Sequence, residues 1–237
     1  NKYRGVVLLA MGSMILARIL ADRIRLWSEA LGLLDEEQAG FRKGRSTADV
    51  TQIMYRIQED VTDLKKRLAE KGETIPEDEK PAARLLDLRK AYPRVNKYAM
   101  WKILEKYGMG KRCLKAIRNL HETTEYRVKG REGESEAWNP QRGLREGCPS
   151  SPPLFNIYHQ VSMRVATKER KRKADKMELD MGLSFKWVPG SSLPSINSWE
   201  KPNSEAKRIK IDKALFADDT TKVGKKKELD IGVRITK

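Results

Sequence analysis

The tightest constraint in this chain is a pair of adjacent carboxylates, Asp218-Asp219, set in Leu215-Phe216-Ala217-Asp218-Asp219-Thr220-Thr221. Its flanks are apolar, small or β-branched, the composition of a strand pair. Adjacent side chains on a strand point to opposite faces, so two neighbouring acids serve one site only where the backbone turns, as at a hairpin tip. The apolar flanks would bury that hairpin, and buried like charges are costly unless cations neutralise them. Carboxylate oxygens suit hard divalent ions. A lone Asp-Asp also reads as a solvated turn, because aspartate is common in turns. The pair gains meaning when a third acid ends a second strand.

Asp87 is that acid. The segment Ala82-Ala83-Arg84-Leu85-Leu86-Asp87-Leu88 reads as a short buried strand ending in a carboxylate, followed by Arg89-Lys90-Ala91-Tyr92-Pro93. Taken alone, a strand-end acid often accepts bonds from nearby backbone amides. Taken with Asp218-Asp219 it suggests another chemistry: two metal ions about 3.5–4 Å apart, shared by such carboxylates, clamp the attacking and leaving oxygens of a phosphoryl transfer. An oxygen-rich site that leaves room for waters and phosphates suits Mg²⁺.

Along the chain, helices alternate with short strands. Ile15, Leu16, Ile19, Leu20, Ile24, Trp27 and Leu31 follow helical spacing, as do Val50, Ile53, Met54, Ile57, Val61, Leu64 and Leu68; both stripes are expected to face a core. Lys71-Gly72 ends the second helix, and Glu73 to Lys80 reads as a polar linker. Further helices are expected from about Lys97 to Tyr107 and from about Lys111 to His121, broken at Gly108-Met109-Gly110. A hairpin is expected across Tyr126 to Trp138, and Pro152-Pro153 opens a long helix, where proline is tolerated in the first turn. Lys168 to Lys176 is a basic run, and Pro189 to Asn203 is a Pro/Ser/Asn-rich loop. There is no internal repeat. Mixed helices and strands with acids on separated strands suit an α+β class.

In order along nearly its whole length, the chain resembles the reverse transcriptase domain of non-LTR (LINE-type) retrotransposons. Asn1-Lys2-Tyr3-Arg4-Gly5-Val6-Val7-Leu8-Leu9 looks like the opening fingers motif, and Met14 to Ile24 like the helix that follows it. Asp35-Glu36-Glu37-Gln38-Ala39-Gly40-Phe41-Arg42-Lys43-Gly44-Arg45-Ser46-Thr47 resembles the most diagnostic stretch of the group. Leu86-Asp87-Leu88-Arg89-Lys90-Ala91-Tyr92 looks like the first catalytic motif. Arg142-Gly143-Leu144-Arg145-Glu146-Gly147-Cys148-Pro149-Ser150-Ser151-Pro152 is similar to the template- and nucleotide-contacting loop, and Phe216-Ala217-Asp218-Asp219 completes the set.

The resemblance implies a right-hand polymerase fold, with fingers over residues 1–79 and palm over residues 80–237, truncated after the Asp-Asp hairpin and with the thumb absent. It implies an RNA-directed DNA polymerase that adds deoxynucleotides to a primer 3′ end by two-metal catalysis. Asp87, Asp218 and Asp219 would be the catalytic metal ligands for two Mg²⁺ ions, with Mn²⁺ as a substitute. Arg4, Tyr92, Glu146 and Gly147 would meet the nucleotide. Tyr92 would block a 2′ hydroxyl, and a guanidinium such as that of Arg4 suits a triphosphate. Gly147 would allow a close backbone approach. Arg42, Lys43 and Arg45 would meet template phosphates rather than bases. The implied partners are an RNA template, a DNA primer and deoxynucleoside triphosphates. Two other readings stand beside this one: a degenerate or truncated copy that binds nucleic acid without catalysis, and a maturase-like RNA-binding splicing factor. Two positions depart from the family. Glu146 stands where glutamine is usual, which loses an amide donor. Pro93 stands where a second aspartate is common, and it removes a backbone donor.

Charge agrees with a polynucleotide partner. Lys plus Arg number 49 against 33 acids, a formal net charge of +16, which attracts phosphate backbones without choosing sequence. Two cysteines, Cys113 and Cys148, make no disulfide framework and fit a reducing, intracellular setting, nuclear or cytoplasmic. Neither has a second cysteine or histidine at metal-ligand spacing, which rejects a zinc site. His121 and His159 are expected to be structural or surface residues. The apolar run from Gly5 to Ala17 is short of the ~20 residues that cross a bilayer, so no membrane partner is expected.

Overall fold

The computed structural model describes residues 7–123, 125–131, 133–176, 183–187, 207–211, 213–217 and 219–233. In chain order the elements are α1 (Met11–Ala30), α2 (Thr47–Glu70), β1 (Pro81–Leu86), α3 (Lys97–Lys106), α4 (Lys111–Glu122), β2 (Lys129–Gly130), β3 (Gly133–Glu134), α5 (Ser151–Asp175), β4 (Leu183–Trp187), β5 (Lys207–Ile211), β6 (Lys213–Phe216), β7 (Asp219–Lys225) and α6 (Lys226–Val233). They form two compact units. One holds residues 1–44 and 87–165, the other residues 45–86 and 166–237.

The first unit is helical. Its core joins Ala17, Leu20 and Ile24 of α1 to Met100, Trp101 and Leu104 of α3, Ile117 and Leu120 of α4, and Leu154, Phe155 and Ile157 of α5. Asn96 caps α3, its side-chain oxygen accepting from the Ala99 amide at 3.1 Å, and Gly108 with φ +82° lets the chain leave that helix. The buried face of α1 is Ala17, Leu20, Ala21, Ile24 and Ser28. This corrects the expected stripe, because Ile15, Leu16 and Ile19 are 56%, 44% and 48% exposed. Apolar identity alone suggested them; the small residues Ala17, Ala21 and Ser28 are what allow close helix packing.

The second unit is a three-stranded antiparallel sheet in the order β1-β7-β6, a two-stranded ladder of β4 with β5, and the helices α2 and α6. Ser46 begins α2 with a capping box: its hydroxyl accepts from Ala48, and its own amide donates to Asp49 at 2.5 Å. Gly72, with φ +72°, follows the end of that helix. Ile57 of α2 packs on Val223 of β7, with Ile53, Met54, Val61 and Leu183 around them. Leu64 of the expected stripe is exposed. Strand β1 is less buried than its composition suggests, with Leu85 83% exposed, whereas Ala214, Leu215 and Val223 of the β6–β7 hairpin are fully buried. An exposed ion network ties the linker before β1 to the start of α6. Glu77 pairs with Lys80 and Lys226, which hold its carboxyl down at about 2, and Glu79 pairs with Lys225 and Lys227. The expected Pro189–Asn203 loop lies outside the described residues. No described helix is long and apolar enough to cross a membrane.

Candidate functional site

Of the three expected metal ligands, Asp87 and Asp219 are among the described residues, and in the chain both adjoin the end of the β1–β7 ladder. Its register runs from Pro81↔Lys225 to Leu86↔Thr220, where it ends. Asp87 follows Leu86 and Asp219 precedes Thr220, so each acid adjoins one partner of the same terminal rung. On its other side β7 pairs with β6, the register ending with Phe216 opposite Asp219. Ala217 there has φ +58°, the backbone a tight hairpin demands. Asp87 and Asp219 are both exposed, while Leu215, Ala217 and Thr220 beside the turn are buried. Asp218 and Arg4 lie outside the described residues. Among the described residues, no three His, Cys, Asp or Glu side chains are gathered as a metal site.

The loop before α5 is built against Tyr92–Val95 and against the N-terminal segment. Gly143 donates its amide to Val95 O at 2.8 Å, and Leu144 to Tyr92 O at 2.9 Å. Gly143 has φ +91°, and a Cβ there would stand 2.8 Å from Pro93 Cα. Pro93, the family departure, thus lies against a glycine that cannot be enlarged. Glu146, half-buried, accepts at its carbonyl from the Val7 amide at 2.9 Å. Gly147 has φ +100°, and its Cβ would meet Val7 O at 2.9 Å. The close backbone approach that Gly147 permits here is therefore that of Val7.

Tyr92 is half-buried, and its ring stacks on Phe155 with centroids 4.9 Å apart and planes 21° apart. Phe155 in turn stacks on His159 at 5.5 Å and 12°. These rings form a column along α5, where residues four apart share a face. His159 is buried in this column. His121 is also buried, with Nε2 3.0 Å from the Ser150 hydroxyl, which lies 3.2 Å from Cys148 Sγ. Burial first, then the charges of Arg145 and Lys97, push the His121 imidazole down to about 3, so it stays neutral. Lys97 donates to the carbonyls of His121 and Pro140 at 3.0 and 2.6 Å, and Arg145 donates to Leu120 O. Burial lowers the Lys97 pKa as well. These contacts hold the base of the 143–150 loop.

The Asp35–Arg42 stretch is held by α5 and by itself. Asn156 donates to Gly40 O at 2.6 Å, Gln160 bonds Asp35 through both its amide atoms, and Arg164 pairs with Asp35 at 2.7 Å. Gln38, fully buried, accepts from the Gly40 amide at 3.0 Å. Arg42 forks onto Glu29 at 2.8 and 2.7 Å and donates to the carbonyls of Asp35 and Gln38 at 2.9 and 3.2 Å. The Glu29 hydrogen bond raises the Arg42 pKa. That guanidinium is engaged within the protein; Lys43 and Arg45 are exposed.

Backbone strain coincides with these segments. Among the described residues, the non-glycine positions with positive φ are Phe41 (+57°), Lys90 (+54°) and Ala217 (+58°). One lies beside Arg42, one between Asp87 and Tyr92, and one at the hairpin tip. Such conformations persist where their surroundings over-determine them, commonly at functional sites.

Sequence reading missed Phe155, Asn156, Gln160 and Arg164. The last three recur at four-residue intervals, so a polar stripe beside Leu154, Ile157 and Val161 was the available signal.

The model of the reverse transcriptase (RNA-dependent DNA polymerase) family matches residues 1–232, and the chain belongs to that family. Over 84 residues, 35% of its length, it is 30% identical to the retrovirus-related Pol polyprotein from type-2 retrotransposable element R2DM of Drosophila melanogaster, of which it spans 8%. Its fold is similar to telomerase from Candida albicans in complex with a fragment of telomeric RNA, with TM-score 0.51 and 13% identity over 94% of this chain and 32% of that one. It is also similar to telomerase from Candida tropicalis in complex with such a fragment, with TM-score 0.52 and 12% identity over 95% of this chain and 30% of that one. At these identities the likeness concerns the fold, a polymerase-like arrangement of helices and sheets.

Proposed function

We propose that this chain carries out RNA-directed DNA synthesis, adding deoxynucleotides to a primer 3′ end on an RNA template, as part of a non-LTR retroelement protein. The observation that supports it best is the end of the β1–β7 ladder, where Leu86↔Thr220 is followed and preceded by Asp87 and Asp219. One more step of that register would pair the two acids, and directly opposed residues of an antiparallel pair share a face. A set of exposed carboxylates fits hard divalent cations and offers nothing to softer ones. Asp87, Asp218 and Asp219 would hold two Mg²⁺ ions, and Mn²⁺ is a compatible substitute. When bound, the ions lower the pKa of the attacking hydroxyl and offset charge developing on the α-phosphate.

The remaining roles belong to the protein. Tyr92, braced by Phe155, excludes a 2′ hydroxyl from the nucleotide site. Arg4 pairs with the triphosphate, and the Glu146-Gly147 turn lines the nucleotide. Lys43 and Arg45 contact template phosphates, while Arg42, anchored on Glu29, carries the loop that presents them. In this reading residues 1–79 correspond to fingers and residues 80–237 to palm. The test is primer extension on poly(rA)/oligo(dT) with Mg²⁺ and protein in excess. Addition of dTTP that is lost in Asp219→Asn supports the reading. RNA binding with no extension by the wild type would favour a copy that has kept affinity and lost catalysis.

A further inference from the structure

Helix α4 carries a basic hollow that the proposed chemistry does not use. Lys111, Lys115 and Arg118 stand at i, i+4 and i+7, one stripe of the helix. With Leu114, Asn119 and Glu122 they line a hollow of about 220 Å³. The three cations and Asn119 are exposed, whereas Ile117, Leu120 and His121 on the other side of the helix are buried.

A merely solvated basic face usually interleaves acids that pair with its cations. Here the single acid is Glu122, and it is already engaged: one oxygen accepts from Trp101 Nε1 at 2.5 Å and the other lies 3.4 Å from Arg118 Nε. Glu122 thereby orients Arg118, and among the described residues Lys111 and Lys115 have no carboxylate partner. The stripe runs about 10 Å along the axis at 1.5 Å per residue. A single strand laid along a stripe of that length brings successive phosphates within reach of cations one helical turn apart.

We propose that this face of α4 is a binding surface for the sugar–phosphate backbone of an RNA strand, separate from the segments assigned above to nucleotide and template. Lys111 and Lys115 act as point charges on successive phosphates, and Arg118 supplies a planar fork beside them. The hollow accepts the backbone, and Asn119 offers an amide to a phosphate or ribose oxygen. The identity of the anion rests on the family reading; binding at this face does not depend on catalysis.

The test is fluorescence anisotropy of a labelled oligouridylate against the whole chain over a KCl series, comparing two double variants. Lys111→Gln/Lys115→Gln and Lys65→Gln/Lys66→Gln each remove two exposed positive charges, the second pair from α2. On a single strand each lost phosphate contact lowers the slope of log K against log salt by about 0.7, so the α4 pair should flatten it by about 1.4. Affinity at low salt should fall by an order of magnitude or more, and Lys111→Arg/Lys115→Arg should retain both affinity and slope. The α2 pair should leave the slope at the wild-type value. Equal slopes in the two glutamine pairs would attribute binding to net charge alone and overturn the proposal, as would an α4 pair indistinguishable from wild type. A chain that fails to extend primers while showing the slope difference would refute the polymerase reading and leave this one standing.

Discussion

Arg42 offers the sharpest separation between holding a loop and contacting nucleic acid. Its side chain is 8% exposed, against 43% for its partner Glu29. The Glu29 pair is therefore half-solvated and contributes at most about 1 kcal/mol. The two bonds to the carbonyls of Asp35 and Gln38 come from a charged donor and are worth about 1.5 kcal/mol each. Arg42→Ala loses both sets, and water can reach part of the vacated space, so a net loss of about 2–4 kcal/mol is expected. For a chain of this length that is a fall in Tm of roughly 5–15 °C. Urea unfolding followed by circular dichroism measures it, read on the transition that includes the 1–44 and 87–165 unit. Arg42→Lys keeps the charge but cannot fork onto Glu29 and reach two carbonyls at once, so it should recover less than half of the loss. Well below the transition, the salt slope of RNA binding should match wild type in Arg42→Lys. An Arg42→Ala protein with wild-type stability and a flattened slope would refute this reasoning and make Arg42 a phosphate ligand.

Other expectations follow from single positions. Gly147→Ala must adopt φ +100° and bring its Cβ to 2.9 Å from Val7 O, so thermal unfolding should show a loss of about 2–4 kcal/mol. Gly44→Ala, at φ +73° with open space around it, should lose only about 1–2 kcal/mol. His121 titrates at about 3 in the fold against 6.5 when exposed. The unfolded chain therefore binds the extra proton first, and stability is full above pH 6.5 and declines as pH falls toward 3. Between pH 6.5 and 5 His121→Gln should remove from the acid limb up to about 1.4 kcal/mol per pH unit, measured by urea midpoints; an unchanged limb would mean the imidazole is not held neutral. Tyr92→Ala should raise ribonucleotide over deoxyribonucleotide incorporation by about tenfold or more in an extension assay, and Phe155→Leu should do so more weakly, since it only loosens the brace. Unchanged discrimination in both would return Tyr92 to a packing role.

Much of this molecule was legible before its fold was known, and the reasons differ by element. Helices α3 and α4 were readable because Asn96 and the glycines at 108 and 110 punctuate a clear apolar period. The order of motifs from Asp35 to Asp219 carried the family, because side-chain chemistry at several separated points is hard to meet by chance. The inward face of α1 was not readable. The packing of small residues there depends on which helices cross it, and composition ranks Ile15 and Ile19 above Ala17 and Ala21. Exposure of Leu85 was hidden for a similar reason, since strand composition does not say which face is covered. The engagement of Arg42 needed three carbonyl and carboxylate partners that only folding assembles. The stacking of Tyr92 on Phe155 joins positions far apart in sequence, with no local pattern to link them.

The central claim is that Asp87 and Asp219 hold the same ions, and Mn²⁺ binding followed by electron paramagnetic resonance tests it most directly. Asp87→Asn, Asp219→Asn and the double variant form a cycle in which two ligands of one ion are coupled, with an interaction energy on the order of 0.5–3 kcal/mol. The expected result is that each single substitution weakens Mn²⁺ binding by an order of magnitude or more, and that the double variant loses much less than the product of the two. Losses that multiply, or single variants that bind Mn²⁺ as wild type does, would contradict a shared site and with it the proposed chemistry.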